Sequence, residues 1–356
     1  MKDYSKYVGV DAHKKFCFIT TMDKTGEIMA RHKVSSNRIE LESYFDQYGE
    51  DSIAVLESTY NWIYVYDSME GRFGDIKLAH PKKVKAIAEA SIKNDKVDSE
   101  TLAHLLRSKL IPEAYISTKE ERSLKDLYRY RYAYIKTRTS FKNRTLSLIS
   151  RFIHEYPYTD MFGKSGILYM RSMDIAQQTK KIVSSYLDMI EELTRQIKKI
   201  EIKIKQQVKE TKEMQLIKTI PGIGDISALL ILAEIGNIRR FKHPKKLVSY
   251  SGLSPRVSSS GGKVSYGRLT KDRNKYLCYT FMECAIPALR RSPILLSKYT
   301  RIKRNKHHNK AKATIARKLA EAVWKVLTYQ QAYREGVTIQ RINKSSIKKS
   351  VPSATG

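Results

Sequence analysis

The sequence predicts an α/β domain followed by mainly helical regions, α/β plus α in class. Three observations predict it. Short apolar runs rich in β-formers fill residues 4–34 and recur at 53–56 and 76–79, with helical spacing between them. From about residue 119 these runs give way to long helical patterns, basic and aromatic first, then apolar at a 3-4 spacing. At 356 residues the chain is long enough for two or three domains, each with its own core.

Residues 7–11 read as a short apolar strand and 16–21 as a second. Asp23-Lys24-Thr25-Gly26 supplies a turn, and residues 27–34 return as a third strand. Ile39, Leu41, Tyr44 and Phe45 give 37–48 a helical face. Then come a strand at 53–56, a helix at 62–70 and a strand at 76–79. Pro81 suits the first position of a helix over 82–90. Another helix is expected at 99–108, after the Asp95/Asp98 segment. Residues 1–118 thus form one domain with a mixed sheet.

Residues 119–212 form a helical region. The stretch 124–152 is basic and aromatic, with Tyr128, Arg129, Tyr130, Arg131, Tyr132 and Arg138 along it. In 180–208, Val183, Tyr186, Ile190, Leu193, Ile197, Ile200 and Ile204 repeat at 3-4 spacing. That is the seam of a coiled coil or an antiparallel helical hairpin, buried either within the chain or between subunits. Residues 213–335 form a third region. It has Pro221-Gly222-Ile223-Gly224 before a helix at 226–235, a segment at 245–250, a loop at 252–263, and helices at 274–289 and 311–327. The tail, 336–356, is basic and expected to be disordered.

The charge balance narrows the function. There are 67 Lys+Arg against 36 Asp+Glu, a net charge of +31. Such an excess points to a polyanionic partner, nucleic acid before an acidic membrane surface. No apolar run approaches the ~18 residues of a spanning helix, so no membrane partner is expected. The first residues lack the apolar core of a secretory signal. Cys17, Cys278 and Cys284 are scattered without metal-ligand spacing. A reduced, cytoplasmic compartment is the expectation.

Against this basic background, four carboxylates stand out. Asp11 and Glu57 each end an apolar strand run, where a charge needs a reason. Asp95 and Asp98 stand three apart, flanked by Lys93 and Lys96, which could contact phosphate or simply balance charge. Oxygen ligands gathered at one sheet edge suit Mg²⁺, with Mn²⁺ as a second choice, for phosphate chemistry. The plainer reading makes each acid a solvated side chain, and Asp98 a helix cap.

Other segments have double readings too. Gly222 and Gly224 fit a helix–hairpin–helix-like turn whose N–H groups meet a DNA phosphate, or a plain glycine turn before a core helix. Ser258-Ser259-Ser260-Gly261-Gly262 reads as a flexible loop; a serine nucleophile there would need activation from a metal or nearby cations. Gly267 to Asn274 supplies such cations in Arg268, Lys271 and Arg273. The Tyr/Arg helix around Arg129, Arg131 and Arg138, and the basic stretch 301–318, suit backbone contacts and base stacking. The alternative for the first is an amphipathic helix with snorkelling cations.

The order of motifs carries a resemblance. Tyr-Val-Gly-Val-Asp-Ala-His-Lys, Leu-Glu-Ser, Lys-Asn-Asp-Lys-Val-Asp-Ser, Pro-Gly-Ile-Gly, and Gly-Leu-Ser-Pro-Arg followed by Ser-Ser-Gly-Gly-Lys and Leu-Thr-Lys resemble the DEDD insertion-sequence transposases. That family includes the Piv-type DNA invertases and the bridge-RNA-guided serine recombinases. The resemblance spans about residues 4–333. It implies a RuvC-like (ribonuclease H-like) catalytic domain, a helical coiled-coil insertion and a mainly helical transposase domain. It implies that Asp11, Glu57, Asp95 and Asp98 are metal ligands. It implies a nucleophile at Ser260, with Ser259 as the alternate, that links covalently to DNA. Arg256 and Lys263 fall in the matching motifs and are expected nucleic-acid contacts.

The implied partners are donor and target double-stranded DNA, a structured non-coding guide RNA and further copies of the chain, as a dimer or tetramer. The implied location is a prokaryotic cytosol or nucleoid. Asn94 stands where Thr is common, Ser99 where Ala is, and Cys278 and Tyr279 follow Leu277 where Arg residues are common; no ligand is lost. Three functions follow: a transposase/recombinase attacking through Ser260, a hydrolytic nuclease or junction resolvase using water, and a non-catalytic RNA- or DNA-binding protein.

Overall fold

A computed structural model describes residues 3–88, 95–207, 210–260, 263–270 and 272–336; within these ranges, the side chains of Gln207, 257–260, 263–264, Tyr266 and Arg268 are left undescribed. Lys93 and Lys271, and residues 337–356 of the expected tail, lie outside the described residues. The chain divides into two compact units, Met1–Ile116 and Ser117–Gly356.

The first unit is built on one mixed sheet. Its elements are β1 (Lys6–Ala12), β2 (Phe16–Asp23), β3 (Ile28–Ser35), α1 (Arg38–Phe45), β4 (Ser52–Glu57), α2 (Trp62–Met69), β5 (Asp75–Ala79), α3 (Pro81–Ile87), α4 (Asp95–Arg107) and β6 (Glu113–Ala114). The strand order is β3-β2-β1-β4-β5-β6. β1 pairs antiparallel with β2 and parallel with β4, and β4 pairs parallel with β5.

Alternation along the strands decides which side chains share a face. Val8, Val10, Ala54 and Leu56 pack into the core that includes Leu41, Phe45, Val65 and Met69 of α1 and α2. Ile53 and Val55 face the other way, into a core with Leu102, Leu105 and Leu106 of α4. Each such buried Leu, Ile or Val is worth roughly 1.5–3 kcal/mol over leaving it in water. By the same alternation Asp11 and Glu57 point toward the face that α4 covers.

Helix α4 lies very close to β1, and Gly9 permits it. A Cβ on Gly9 would sit 2.0 Å from the Ser99 carbonyl oxygen and 2.7 Å from the Ala103 nitrogen. The buried hydroxyls of Thr20 and Ser99 meet at 2.8 Å and hold the same helix to the neighbouring strand β2. α4 also starts earlier than the sequence suggests: Asp95 and Asp98 lie in its first turn, not ahead of it. That turn is the positive end of the helix dipole, which favours carboxylates.

The second unit contains α5 (Lys119–Ile149), α6 (Lys164–Ser172), α7 (Gln177–Gln207), α8 (Lys212–Lys218), α9 (Asp225–Ile235), a 3-10 turn (Ile238–Arg240), α10 (Pro244–Tyr250), β7 (Pro255–Ser260), β8 (Lys263–Leu269), α11 (Lys275–Arg291), α12 (Pro293–Asn305) and α13 (His308–Tyr329). Thr118 and Glu121 close a reciprocal capping box at the start of α5.

α5 and α7 are an antiparallel hairpin. Arg131 meets Glu201, Arg138 meets Thr194 and Phe141 meets Tyr186, so one index falls as the other rises. The apolar seam is therefore covered inside the chain, and Leu187 fills the fully buried position where the spacing suggested Tyr186. The helical region 119–212 and the region 213–335 share a core, with Tyr128, Ile200 and Ile204 packed among Ile217, Leu230, Phe281 and Val323.

The expected loop 252–263 is partly strand. Ser258, Ser259 and Ser260 pair with Ser265, Val264 and Lys263 in a β7–β8 hairpin. The basic stretch 301–318 straddles the turn between α12 and α13. Cys17, Cys278 and Cys284 are buried free thiols, and burial pushes the Cys17 thiol up to about 11, as suits packing residues. No helix among the described residues is long and apolar enough to cross a membrane.

Candidate metal and catalytic centre

Two strands and one helix bring the acids together. β1 and β4 run parallel with Val10 beside Leu56, so Asp11 and Glu57 occupy the next position on each strand. α4, seated on Gly9, brings Asp95 and Asp98 to the same end. Asp11 is largely buried, its side chain 16% exposed, whereas Asp95 reaches solvent at 42%.

His13 completes the group. Its Nε2 lies 2.9 Å from Asp11 Oδ2 and 3.2 Å from Asp95 Oδ1. The ligand atoms of Asp11, His13 and Asp95 all fall within 4.8 Å of one another. Burial raises the Asp11 carboxyl above its ordinary range; His13 opposes that shift, and the charges of Asp98 and Asp95 reinforce it. Like charges gathered at a part-buried point are costly unless a cation joins them. Hard oxygen donors of this kind fit a divalent cation.

Sequence reasoning missed His13 and Gly9 as functional positions. His13 stands two residues beyond Asp11, which returns it to the same side of an extended chain. A glycine inside a strand signals close backbone approach, and Gly9 carried that signal.

The residues expected at nucleic acid divide. Arg129 has a partner inside its own unit: its guanidinium grips Glu234, itself 1% exposed, at 3.0 and 3.2 Å, and lies over the Tyr276 ring. Arg131 is likewise engaged by Glu201, and Arg138 by the Thr194 hydroxyl. These side chains tie α5 to α7 and α9.

Gly222 has a packing role: its φ is +82°, and a Cβ there would meet the Cys284 carbonyl oxygen at 2.4 Å, so glycine at this position admits the α11 backbone. Gly224 has open space around it just before α9. Lys96, Arg256 and Arg273 are exposed, and the Arg273 methylenes lie against Gly252. Lys263, Arg268, Ser259 and Ser260 are placed on the hairpin by their backbones alone.

Two family models match the chain. A DEDD transposase model covers residues 8–154, and the IS116/IS110/IS902 transposase family covers 214–300. The transposase of insertion sequence IS1111A from Coxiella burnetii is 24% identical over 349 residues, covering 94% of this chain and 93% of its own. The IS1328 transposase of Yersinia enterocolitica is 23% identical over 325 residues, 90% and 96% of the two chains. A probable family 20 transposase of Pseudomonas aeruginosa is 20% identical over 337 residues, 92% and 98%.

Proposed function

The chain belongs to the DEDD insertion-sequence transposases, enzymes acting on DNA, and from that premise we propose that it breaks and rejoins DNA at the acidic edge of its first unit. The observation that carries this reading is the meeting of Asp11, Asp95 and His13, with Glu57 at the end of the adjoining strand and Asp98 in the same helix turn as Asp95. The strand order and the acids at the strand ends support a RuvC-like fold for this unit.

Asp11, Glu57, Asp95 and Asp98 would hold a divalent ion, Mg²⁺ or Mn²⁺. When bound, such an ion stabilises charge on the phosphoryl oxygens and polarises the attacking hydroxyl. His13 would orient Asp11 and Asp95 through its ring nitrogen. α4 would fix both of its acids by its seat on Gly9.

The attacking group in this reading is Ser260, with Ser259 as the alternate. Its Oγ–phosphorus bond forms as the bond from phosphorus to the leaving sugar oxygen breaks. The serine proton is lost, and the leaving oxygen gains one. The covalent link conserves the phosphodiester, so a second strand's hydroxyl can displace the serine. A shared centre, with the acids of one subunit facing the serine of another, and a guide RNA that pairs with donor and target DNA belong to the same proposal. In that arrangement base pairing would read the sequence, and the protein would read backbone and shape. A second reading, attack by water, draws support from the acids standing together on one unit, open to solvent at Asp95.

The test uses the full chain, Mg²⁺ and a plasmid carrying its own gene with flanking DNA. A protein–DNA adduct on a denaturing gel, absent in Ser260→Ala, supports the serine. Normal cutting and rejoining by both Ser260→Ala and Ser259→Ala assigns the attack to water. Full cutting by Asp11→Ala sinks the acidic centre altogether. Mixing Asp11→Ala with Ser260→Ala chains restores activity if the centre is shared between subunits. RNA that co-purifies with the full chain and is needed for cutting would support a guide.

A further inference from the structure

Directly after Glu57, residues 58–61 join β4 to α2. This short connection is tied down along its length. The Ser58 N–H donates to the Ala79 carbonyl at 3.0 Å, and the Thr59 N–H to the Glu57 carbonyl at 2.8 Å. The Asn61 carbonyl accepts the Tyr64 N–H at 3.1 Å, and the Asn61 side-chain amide donates to the His13 carbonyl at 2.8 Å. Its backbone is tethered while one side chain stands out: Tyr60 is 95% exposed, the highest value among the exposed large hydrophobic side chains of the described residues. Ile63 and Tyr64, at 42% and 43%, continue the apolar surface along the first turn of α2.

The anchor ties this ring to the acidic edge. The His13 carbonyl that Asn61 holds also accepts the Ser36 hydroxyl at 2.9 Å. The His13 ring meets Asp11 and Asp95. The next two residues, Lys14 and Lys15, are exposed. An exposed aromatic ring on a tethered backbone, two exposed cations and the carboxylates are therefore connected through one residue. Cations beside an exposed ring suit a backbone phosphate next to an unstacked base.

We propose that Tyr60 stacks on an unpaired nucleobase next to the phosphodiester at the acidic edge, while Lys14 and Lys15 hold the flanking phosphates. The inference rests on the DNA-cutting reading of that edge. It makes Tyr60 a substrate-binding residue that selects distorted over fully paired DNA. In a stacked duplex the base faces are covered, so the ring gains nothing there.

The experiment compares two probes, a duplex with one unpaired 2-aminopurine and its fully paired counterpart. Both are bound to the full chain without divalent cation, so that no strand is cut. The wild type is expected to bind the unpaired probe more tightly and to quench its fluorescence. Tyr60→Ala is expected to lose about tenfold in affinity for that probe alone, whereas Tyr60→Phe and Tyr60→Trp keep it. Lys14→Ala and Lys15→Ala should weaken both probes and flatten the salt dependence. Equal loss on both probes in Tyr60→Ala, or no quenching by the wild type, overturns the proposal. So does a Tyr60→Ala chain with unchanged DNA binding and altered sedimentation, which would assign the ring to a protein contact. An unchanged thermal melt confirms that Tyr60→Ala folds. Failure of the cutting reading would appear separately, as full activity in Asp11→Ala.

Discussion

Asp11 in the first unit and Glu234 in the second are both carboxylates withdrawn from water, yet they are treated in opposite ways. Glu234 is 1% exposed and fully answered: Arg129 grips both of its oxygens, and the Asn274 amide donates to it at 2.8 Å. Among the described residues, Asp11 is met by the His13 imidazole; burial raises its carboxyl, and the charges of Asp98 and Asp95 add to that. A buried acid is therefore no sign of a site by itself. The sign is a group of acids crowded at one sheet edge, which an incoming cation can bridge.

The largest effect expected from this contrast is on chemistry. Asp11→Ala should cut DNA at least about 10³-fold more slowly, the scale of losing one preorganised electrostatic contact. Its thermal melt should hold or rise, because a crowded charge has gone. Arg129→Ala should do the reverse. It strands a buried charge, costing about 2–4 kcal/mol in urea unfolding, below the full cost of a broken buried pair because Arg129 is 40% exposed. Its cutting rate per folded molecule should stay close to the wild type. If Arg129→Ala instead abolishes DNA binding with no loss of stability, the two acids are not opposites.

Two glycines sharpen the same contrast at the next scale. Gly9→Ala places a Cβ against the Ser99 carbonyl and must push α4, with Asp95 and Asp98, off β1. Gly222→Ala meets the α11 backbone and must also hold a methyl at positive φ. Both should cost roughly 1–3 kcal/mol by overpacking. Only Gly9→Ala should weaken metal binding, read by calorimetry with Mg²⁺ or Mn²⁺. Equal metal affinity in the two variants would show that α4 does not set the acid spacing.

The smallest effect is a slope with pH. The native Asp11 carboxyl holds its proton above 3.8, the value where the unfolded chain gives it up. The stability this contributes is complete below that value and is lost as pH rises through the native pKa. Without divalent metal, urea stability should therefore decline across that window, and the decline should be absent in Asp11→Asn. Added Mg²⁺ should reverse the slope by favouring the charged form. A metal-free chain with the opposite slope would remove the crowding argument.

Much of this was legible in the sequence, for physical reasons that differ by element. Strands β1, β2 and β4 announce themselves because their apolar runs are buried by packing on both faces of the sheet. Asp11 and Glu57 stand out because charge ends those runs. The β7–β8 hairpin was hidden: Ser258-Ser259-Ser260 has no apolar alternation, and its order comes from pairing with β8. The fate of Arg129 was hidden too, since nothing local reveals a partner 105 positions away. His13 escaped notice because its role depends on where α4 lands, which Gly9 decides.

Gly9 has one more consequence, and it concerns time. The acids are spread over more than eighty residues of chain, and α4 supplies half of them by lying flush on β1. A chain leaving the ribosome holds Asp11 and Glu57 long before α4 exists. Until residue 107 has been made and docked, the polypeptide carries an incomplete blade. On the proposed reading, unfinished, truncated or locally melted copies would lack a complete acidic centre, and cutting would have to wait at least until α4 is docked.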